Sequence, residues 1–160
     1  MTSDTTAGTP AGAGPAAARR IRVLFVCTGN SARSQMAEAI LRREAGDRFE
    51  AFSGGADPHP INPMTVRVLD EAGIDISGAT SKPVSRFLGQ SFDYVITLCD
   101  RARVSCPIFP GGGQTLHWGL DDPAEVTGMD EERLLAFRRA LTEVSARIRA
   151  FIPLATVASR

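Results

Sequence analysis

At 160 residues, with 43% hydrophobic and 22% charged side chains, the chain has the size and balance of one soluble domain. Its 18 basic and 18 acidic side chains cancel, which excludes a global pull toward nucleic acid or acidic membranes, and no apolar run is long enough to span a bilayer. The cysteines are Cys27, Cys99 and Cys106, an odd and small set that does not make a secreted disulfide framework. They fit a cytoplasmic protein with working thiols.

Residues 1–20 are rich in Ala, Gly, Thr and Pro and carry no hydrophobic periodicity, so they read as a flexible tail. They lack the continuous apolar stretch of a signal peptide, and Arg19-Arg20 lie at the wrong end for one. Residues 21–26 are short, apolar and β-branched, and predict a buried strand ended by the turn-prone Thr28-Gly29-Asn30. A helix follows over 34–45, with Met36, Ile40 and Leu41 at core spacing and Gly46 as its stop. Residues 49–53 predict a second strand. Asn62 reads as an N-cap with Pro63 at the first helical position, opening a helix to about Ala72 with Met64, Val68 and Leu69 turned inward.

A short helix is expected near Lys82-Pro83, and a third buried strand over 93–98, ending beside Cys99. After the polar segment to Cys106-Pro107 comes a glycine-rich turn at 111–113, then a fourth short strand at 115–118. The last helix is predicted over 130–151, with Leu134, Phe137, Leu141, Val144, Ile148 and Phe151 as its apolar stripe and Pro153 beyond its end. The domain is therefore drawn over 21–153, and 154–160 as a short C-terminal tail. Strands alternating with helices predict an α/β single domain, a four-stranded parallel sheet flanked by helices on both faces. Ligands of such sheets sit outside the carboxyl ends of the strands, where both Cys27 and Cys99 fall.

The segment Cys27-Thr28-Gly29-Asn30-Ser31-Ala32-Arg33-Ser34 puts a cysteine, five residues and an arginine at a strand-to-helix turn. Backbone N–H groups of such a loop, with the helix N-terminus behind them, hold the oxygens of a tetrahedral anion. Arg33 adds a planar fork of donors that matches two oxygens at once. The same field suits a thiolate at Cys27, the nucleophilic form. Gly29 permits the tight turn, and Asn30 is the residue here best able to adopt a left-handed conformation. Ser34 reads either as a hydrogen-bond partner of Cys27 or as a helix-start residue. Residues 28–34 together are the expected oxyanion site.

The string from Val23 through Glu38 resembles the opening of the low-molecular-weight tyrosine phosphatase superfamily. Within it, Arg33-Ser34-Gln35-Met36-Ala37-Glu38 is closer to the thioredoxin-coupled arsenate reductases, since the phosphatases commonly have proline at the place of Gln35. Two more blocks carry the resemblance, which spans residues 21 to 152: Val95 through Asp100 with Cys106-Pro107, and His117 through Ala124. It implies the phosphatase-like fold and reduction of arsenate to arsenite. Cys27 is then the nucleophile, Arg33 the anion clamp and Asp122 the general acid, its backbone restricted by Pro123. Asp121 does not precede the proline and is the weaker candidate. Cys99 and Cys106 form the disulfide relay, reopened by thioredoxin, with a low-molecular-weight thiol as the other candidate reductant. Phosphate and sulfate are the expected anion analogues, a monomer the expected state, and no metal or organic cofactor is called for.

The spacing of the second thiol pair has its own consequence. Were Cys99 to Cys106 a regular helix, seven steps would set their Cα atoms about 10.5 Å apart, whereas a disulfide needs about 7 Å or less. Bonding the pair therefore requires local unwinding, for which the polar run Asp100 to Ser105 is suited.

Some relatives carry a further loop cysteine where this chain has Ala32, and some bind potassium at positions matching Asn30, Glu38, Ser53 and Lys82. Here a lysine stands where those members have aspartate, so an ammonium beside Glu38 is expected to fill the cation's place, unless Lys82 is a plain surface lysine. His59 is expected to be exposed, and His117 to pack or to orient the Asp122 loop. Two other readings share the loop. A phosphomonoesterase would use Cys27, Arg33 and Asp122 without the second thiol pair, and many such enzymes have an aromatic where Ala124 stands. A non-catalytic anion-binding or thiol-sensing module would need no acid at all.

Overall fold

The computed structural model describes residues 19–158. At its centre lies β1, Ile21–Cys27. Val23, Phe25 and Cys27 of this strand belong to one hydrophobic cluster, and Leu24 and Val26 to another on the opposite face. A strand that is apolar on both faces can only be interior to a sheet covered on both sides.

β2 (Phe49–Gly55) and β3 (Tyr94–Thr97) flank β1, and β4 (Gln114–His117) pairs with β3. All three pairings are parallel, in the order β2-β1-β3-β4. The four-stranded parallel sheet is thus as expected. The chain leaves β1 toward β2 and later crosses to the other side for β3, so the strand order reverses between β1 and β3. That reversal opens a crevice at the carboxyl ends of those two strands, where the Cys27 loop and Cys99 lie.

One face of the sheet is covered by α1 (Arg33–Ala45), α2 (Pro63–Glu71) and α4 (Asp130–Ala158). Met36, Ile40, Leu41, Val68, Leu69, Phe137, Val144 and Ile148 from these helices are almost wholly buried, and side chains of this size each contribute roughly 1.5–3 kcal/mol on burial. The other face carries a single 3-10 turn, Val84–Phe87, and α3, Asp100–Ser105. There Phe52, Phe87 and Phe92 meet edge to face with ring centres 5.6–6.0 Å apart. The Arg22 guanidinium lies 4.8 Å from the Phe52 ring and 4.9 Å from that of Phe92, a cation over two aromatic faces.

Local signals account for most element ends. Asn62 caps α2, its Oδ1 accepting from the Met64 N–H at 2.9 Å with Pro63 at the first helical position. The glycine turn after α3 uses positive φ at Gly111 and Gly112.

The C-terminal helix departs from expectation. It does not stop before Pro153 but runs through it to Ala158, so the expected tail from residue 154 is helical as far as it is described. Proline removes one N–H from the helical ladder. Here it sits on the exposed face, while Phe151 and Ala155 on the inner face are buried against the core. Packing of that stripe holds the helix across the missing bond.

The tail expected over residues 1–20 lies outside the described residues except for its last two. Of these, Arg19 donates to both carboxylate oxygens of Asp93 at 2.8 Å. Among the described residues no helix is long and apolar enough to cross a membrane.

Candidate active site

The loop from Thr28 to Ala32 joins β1 to α1 at the crevice. Its carbonyls are turned outward and bonded. Those of Cys27, Thr28, Gly29 and Ser31 accept from the N–H groups of Ala56, Asp57, His59 and Asn62. By contrast, none of the N–H groups from Thr28 to Ala32 donates to a protein acceptor among the described residues. A loop with its acceptors used and its donors free is built for an anion.

Asn30 is the one described non-glycine residue with positive φ, +50°, the left-handed conformation its residue type favours. It is fully buried and braced on three sides. Its Oδ1 accepts from Gln35 Nε2 at 3.0 Å and from the Lys82 N–H at 2.8 Å, and its Nδ2 donates to Ser34 Oγ at 2.7 Å. Gln35 Nε2 also donates to the Thr80 carbonyl. Gly55 allows the loop to lie on the end of β2: a Cβ there would come within 2.7 Å of the Thr28 carbonyl oxygen and 2.9 Å of the Asn30 nitrogen. The supporting roles of Gln35 and Gly55 were not read from the sequence. The glycine pair ending a strand, Gly54-Gly55, was the available signal.

Cys27 ends β1 with its side chain buried, and its Sγ lies 2.8 Å from Ser34 Oγ. Of the two readings of Ser34, the structure thus has it paired with the cysteine. Arg33 is 5% exposed. Its Nη1 donates to the Leu120 carbonyl at 3.0 Å and its Nη2 lies 3.5 Å from Asp122 Oδ2. Its Nε is buried with no hydrogen-bond partner. The orphan guanidinium N–H and the free loop N–H groups are the kind of donors an oxyanion takes.

Asp122 caps the 3-10 turn Pro123–Glu125, its Oδ1 accepting from the Ala124 N–H at 2.9 Å. This cap and Arg33 hold the carboxyl in the lining of the cleft that Thr28 and Arg33 also border. Asp121 is exposed, although it too borders the cleft.

Cys99 joins the same cleft from β3, one strand over. Its Sγ lies 3.2 Å from Thr28 Oγ1, so the hydroxyl of the loop's first residue meets the second thiol. Cys99 is also the N-cap of α3, its Sγ accepting from the Ala102 N–H at 3.4 Å. Cys106 closes the other end of that helix and packs, half-buried, against the cluster that contains Leu24, Val26 and Phe92. Burial pushes its thiol up from the ordinary range. All three cysteines are free.

The Lys82 ammonium stands beside Glu38. Its Nζ lies 3.7 Å from Glu38 Oε1, 3.5 Å from Ser53 Oγ and 3.0 Å from the Thr80 carbonyl. Both side chains are largely buried, at 16% and 13% exposure, so this is not a surface lysine. Burial lowers the Lys82 pKa and Glu38 pulls it back in part. His59 is exposed, with its backbone N–H on the Gly29 carbonyl. His117 does not reach the Asp122 carboxyl by hydrogen bond; it bonds Thr97 and Asp100 instead.

Residues 22–159 match the family of low molecular weight phosphotyrosine protein phosphatases. The chain belongs to this family. It is 44% identical to an arsenate reductase of Halalkalibacterium halodurans, over 81% of this chain and 93% of that protein. Among solved structures it is similar to a thioredoxin-dependent arsenate reductase of Corynebacterium glutamicum, with 32% identity and a TM-score of 0.67, covering 89% of this chain and 65% of that one. It is also similar to a low molecular weight protein tyrosine phosphatase from T. tengcongensis, with 29% identity and a TM-score of 0.65, covering 83% and 98%.

Proposed function

We propose that this protein reduces arsenate to arsenite through a three-thiol relay. The observation that carries this reading is the position of Cys99, its sulfur against the hydroxyl of Thr28 at the mouth of the Cys27 loop, with Cys106 at the far end of the same short helix. Phosphomonoester hydrolysis calls on Cys27, Arg33 and Asp122 alone, whereas a thiol relay needs the second and third cysteines. The similarity to proteins named arsenate reductase supports the same choice.

The chemistry follows the atoms. Arsenate binds in the loop of residues 28–34, held by the free N–H groups and by Arg33. The Cys27 thiolate attacks arsenic, and Asp122 gives its proton to the departing oxygen, which leaves as water. The Cys99 thiolate then attacks the Cys27 sulfur. The sulfur–arsenic bond breaks with its electron pair going to arsenic, which leaves as arsenite, and a Cys27–Cys99 disulfide remains. Cys106 attacks Cys99, freeing the Cys27 thiolate and leaving Cys99–Cys106. Thioredoxin, as an external dithiol, reduces that bond.

Such a cycle needs a reducing compartment, and we take that compartment to be the cytoplasm. The site is built from one chain, and we take the working form to be a monomer. The anion clamp and acid also suit a phosphomonoester, so slow hydrolysis of such substrates is the second activity to look for. The deciding experiment runs arsenate-dependent NADPH oxidation with thioredoxin and its reductase beside a phosphomonoester assay. Turnover in the first, and its loss in Cys106→Ala with accumulation of a Cys27–Cys99 disulfide seen by peptide mass mapping, supports the relay. Normal turnover of Cys106→Ala sinks it.

A further inference from the structure

The helix between the two exchange thiols is held at few points. Ala102 is the one buried side chain of α3. Asp100, its first residue, has a side chain 91% exposed, yet its Oδ1 lies 3.0 Å from His117 Nε2. His117 is the last residue of β4 and pairs in register with Thr97 of β3. Its ring is mostly buried, with Nδ1 2.8 Å from Thr97 Oγ1. The turn after it leaves the ring room: at Gly119, where φ is +58°, a Cβ would stand 3.3 Å from His117 Nε2. A ring anchored in the sheet thus reaches out to the first residue of the helix that must open.

The protons fit this arrangement in either state of the ring. In the neutral form Nε2–H donates to Asp100 and the Thr97 hydroxyl donates to Nδ1. In the charged form Nδ1–H donates to Thr97, whose own proton turns to the Leu116 carbonyl at 3.4 Å. Asp100 is bonded in both.

We propose that His117 and Asp100 form a latch that holds α3 helical, keeps Cys99 and Cys106 apart, and so sets how readily they bond. The proposal rests on the relay described above. In the exchange step Cys106 loses its proton to solvent and its thiolate attacks the Cys99 sulfur. The Cys27–Cys99 bond breaks, and Cys27 leaves as a thiolate, with no net change in electrons within the protein. Forming the new bond opens α3, because the intact helix holds the two residues too far apart. Opening releases Asp100 from His117. His117 is therefore a positioning residue that acts through Asp100, and the latch favours the dithiol.

The test measures the Cys99–Cys106 couple in the full-length protein. The protein is equilibrated with mixtures of reduced and oxidised dithiothreitol, quenched by alkylation and mapped by peptide mass. His117→Ala and Asp100→Ala are each expected to shift the equilibrium about fivefold toward the disulfide, ~20 mV more negative. The double variant should move no further than either single one. Asp100→Asn, which still accepts from Nε2–H, should stay within about twofold of the parent. If His117→Ala does not fold, the exposed Asp100→Ala and Asp100→Asn variants carry the comparison. Unchanged potentials, or shifts that simply add in the double variant, overturn the latch and leave the relay standing. Absence of any Cys99–Cys106 disulfide in the parent overturns both.

Discussion

Cys106 is the residue whose environment speaks most directly to rate. Burial pushes its thiol above the ordinary range, so at neutral pH it is held protonated more than a free cysteine would be. The attacking form is the thiolate. Conversion of the Cys27–Cys99 disulfide to Cys99–Cys106 should therefore speed up about tenfold per pH unit between pH 7 and the raised value, and level off above it. Rapid alkylation quenching after a single turnover measures this, and a flat profile from pH 7 to 8.5 would show that Cys106 is not the attacking thiol. Lys82 makes a second prediction at this scale. Its ammonium lies beside Glu38 and Ser53, two of the positions that the resemblance assigned to potassium, and against the Thr80 carbonyl. The melting temperature and arsenate turnover should be the same in equimolar potassium and sodium chloride. A gain specific to potassium would contradict this.

Among the elements, α4 carries the clearest conflict between local preference and packing. Proline at position 153 costs the ladder one bond, to the Arg149 carbonyl, and the exposed face absorbs that loss. The buried Phe151 and Ala155 keep the helix on course. Pro153→Ala should restore the bond without touching the core and raise stability by about 1–3 kcal/mol, read as a higher urea midpoint with an unchanged slope. A loss of stability would mean that the proline fits a bend the docked helix requires. The same conflict explains the misplaced end of the sequence reading. Helix propensity is local, whereas the reward for crossing the proline comes from packing Phe151 on Phe49, Tyr94 and Trp118, well back in the chain. Where local signals met no opposition, as with Asn62-Pro63 opening α2 and Gly46 following α1, the ends fell where the residues place them.

For the whole molecule, the free loop donors and the orphan Arg33 Nε should make folding and anion binding one linked equilibrium. A ligand at 100 times its Kd adds about 2.7 kcal/mol to the folded state, which for a domain of this size is roughly 5–10 °C in melting temperature. Phosphate should produce such a shift in the parent and little or none in Arg33→Ala, measured by calorimetry. An equal shift in both would place the anion elsewhere.

The sequence by itself determined the alternation of strand and helix, the parallel sheet and the anion loop, because periodicity, caps and the Cys27–Ser34 string are local properties. It also limited how the second thiol pair can bond, because helical rise and disulfide reach are fixed lengths. Only the tertiary structure decided which groups meet: Thr28 against Cys99, the Arg33 fork between Leu120 and Asp122, the Lys82 ammonium beside Glu38, and His117 tied to Asp100. These contacts join residues far apart in the chain, and the order β2-β1-β3-β4 brings them together at the carboxyl edge of the sheet. No spacing along the sequence encodes them, because they are set by which strands become neighbours.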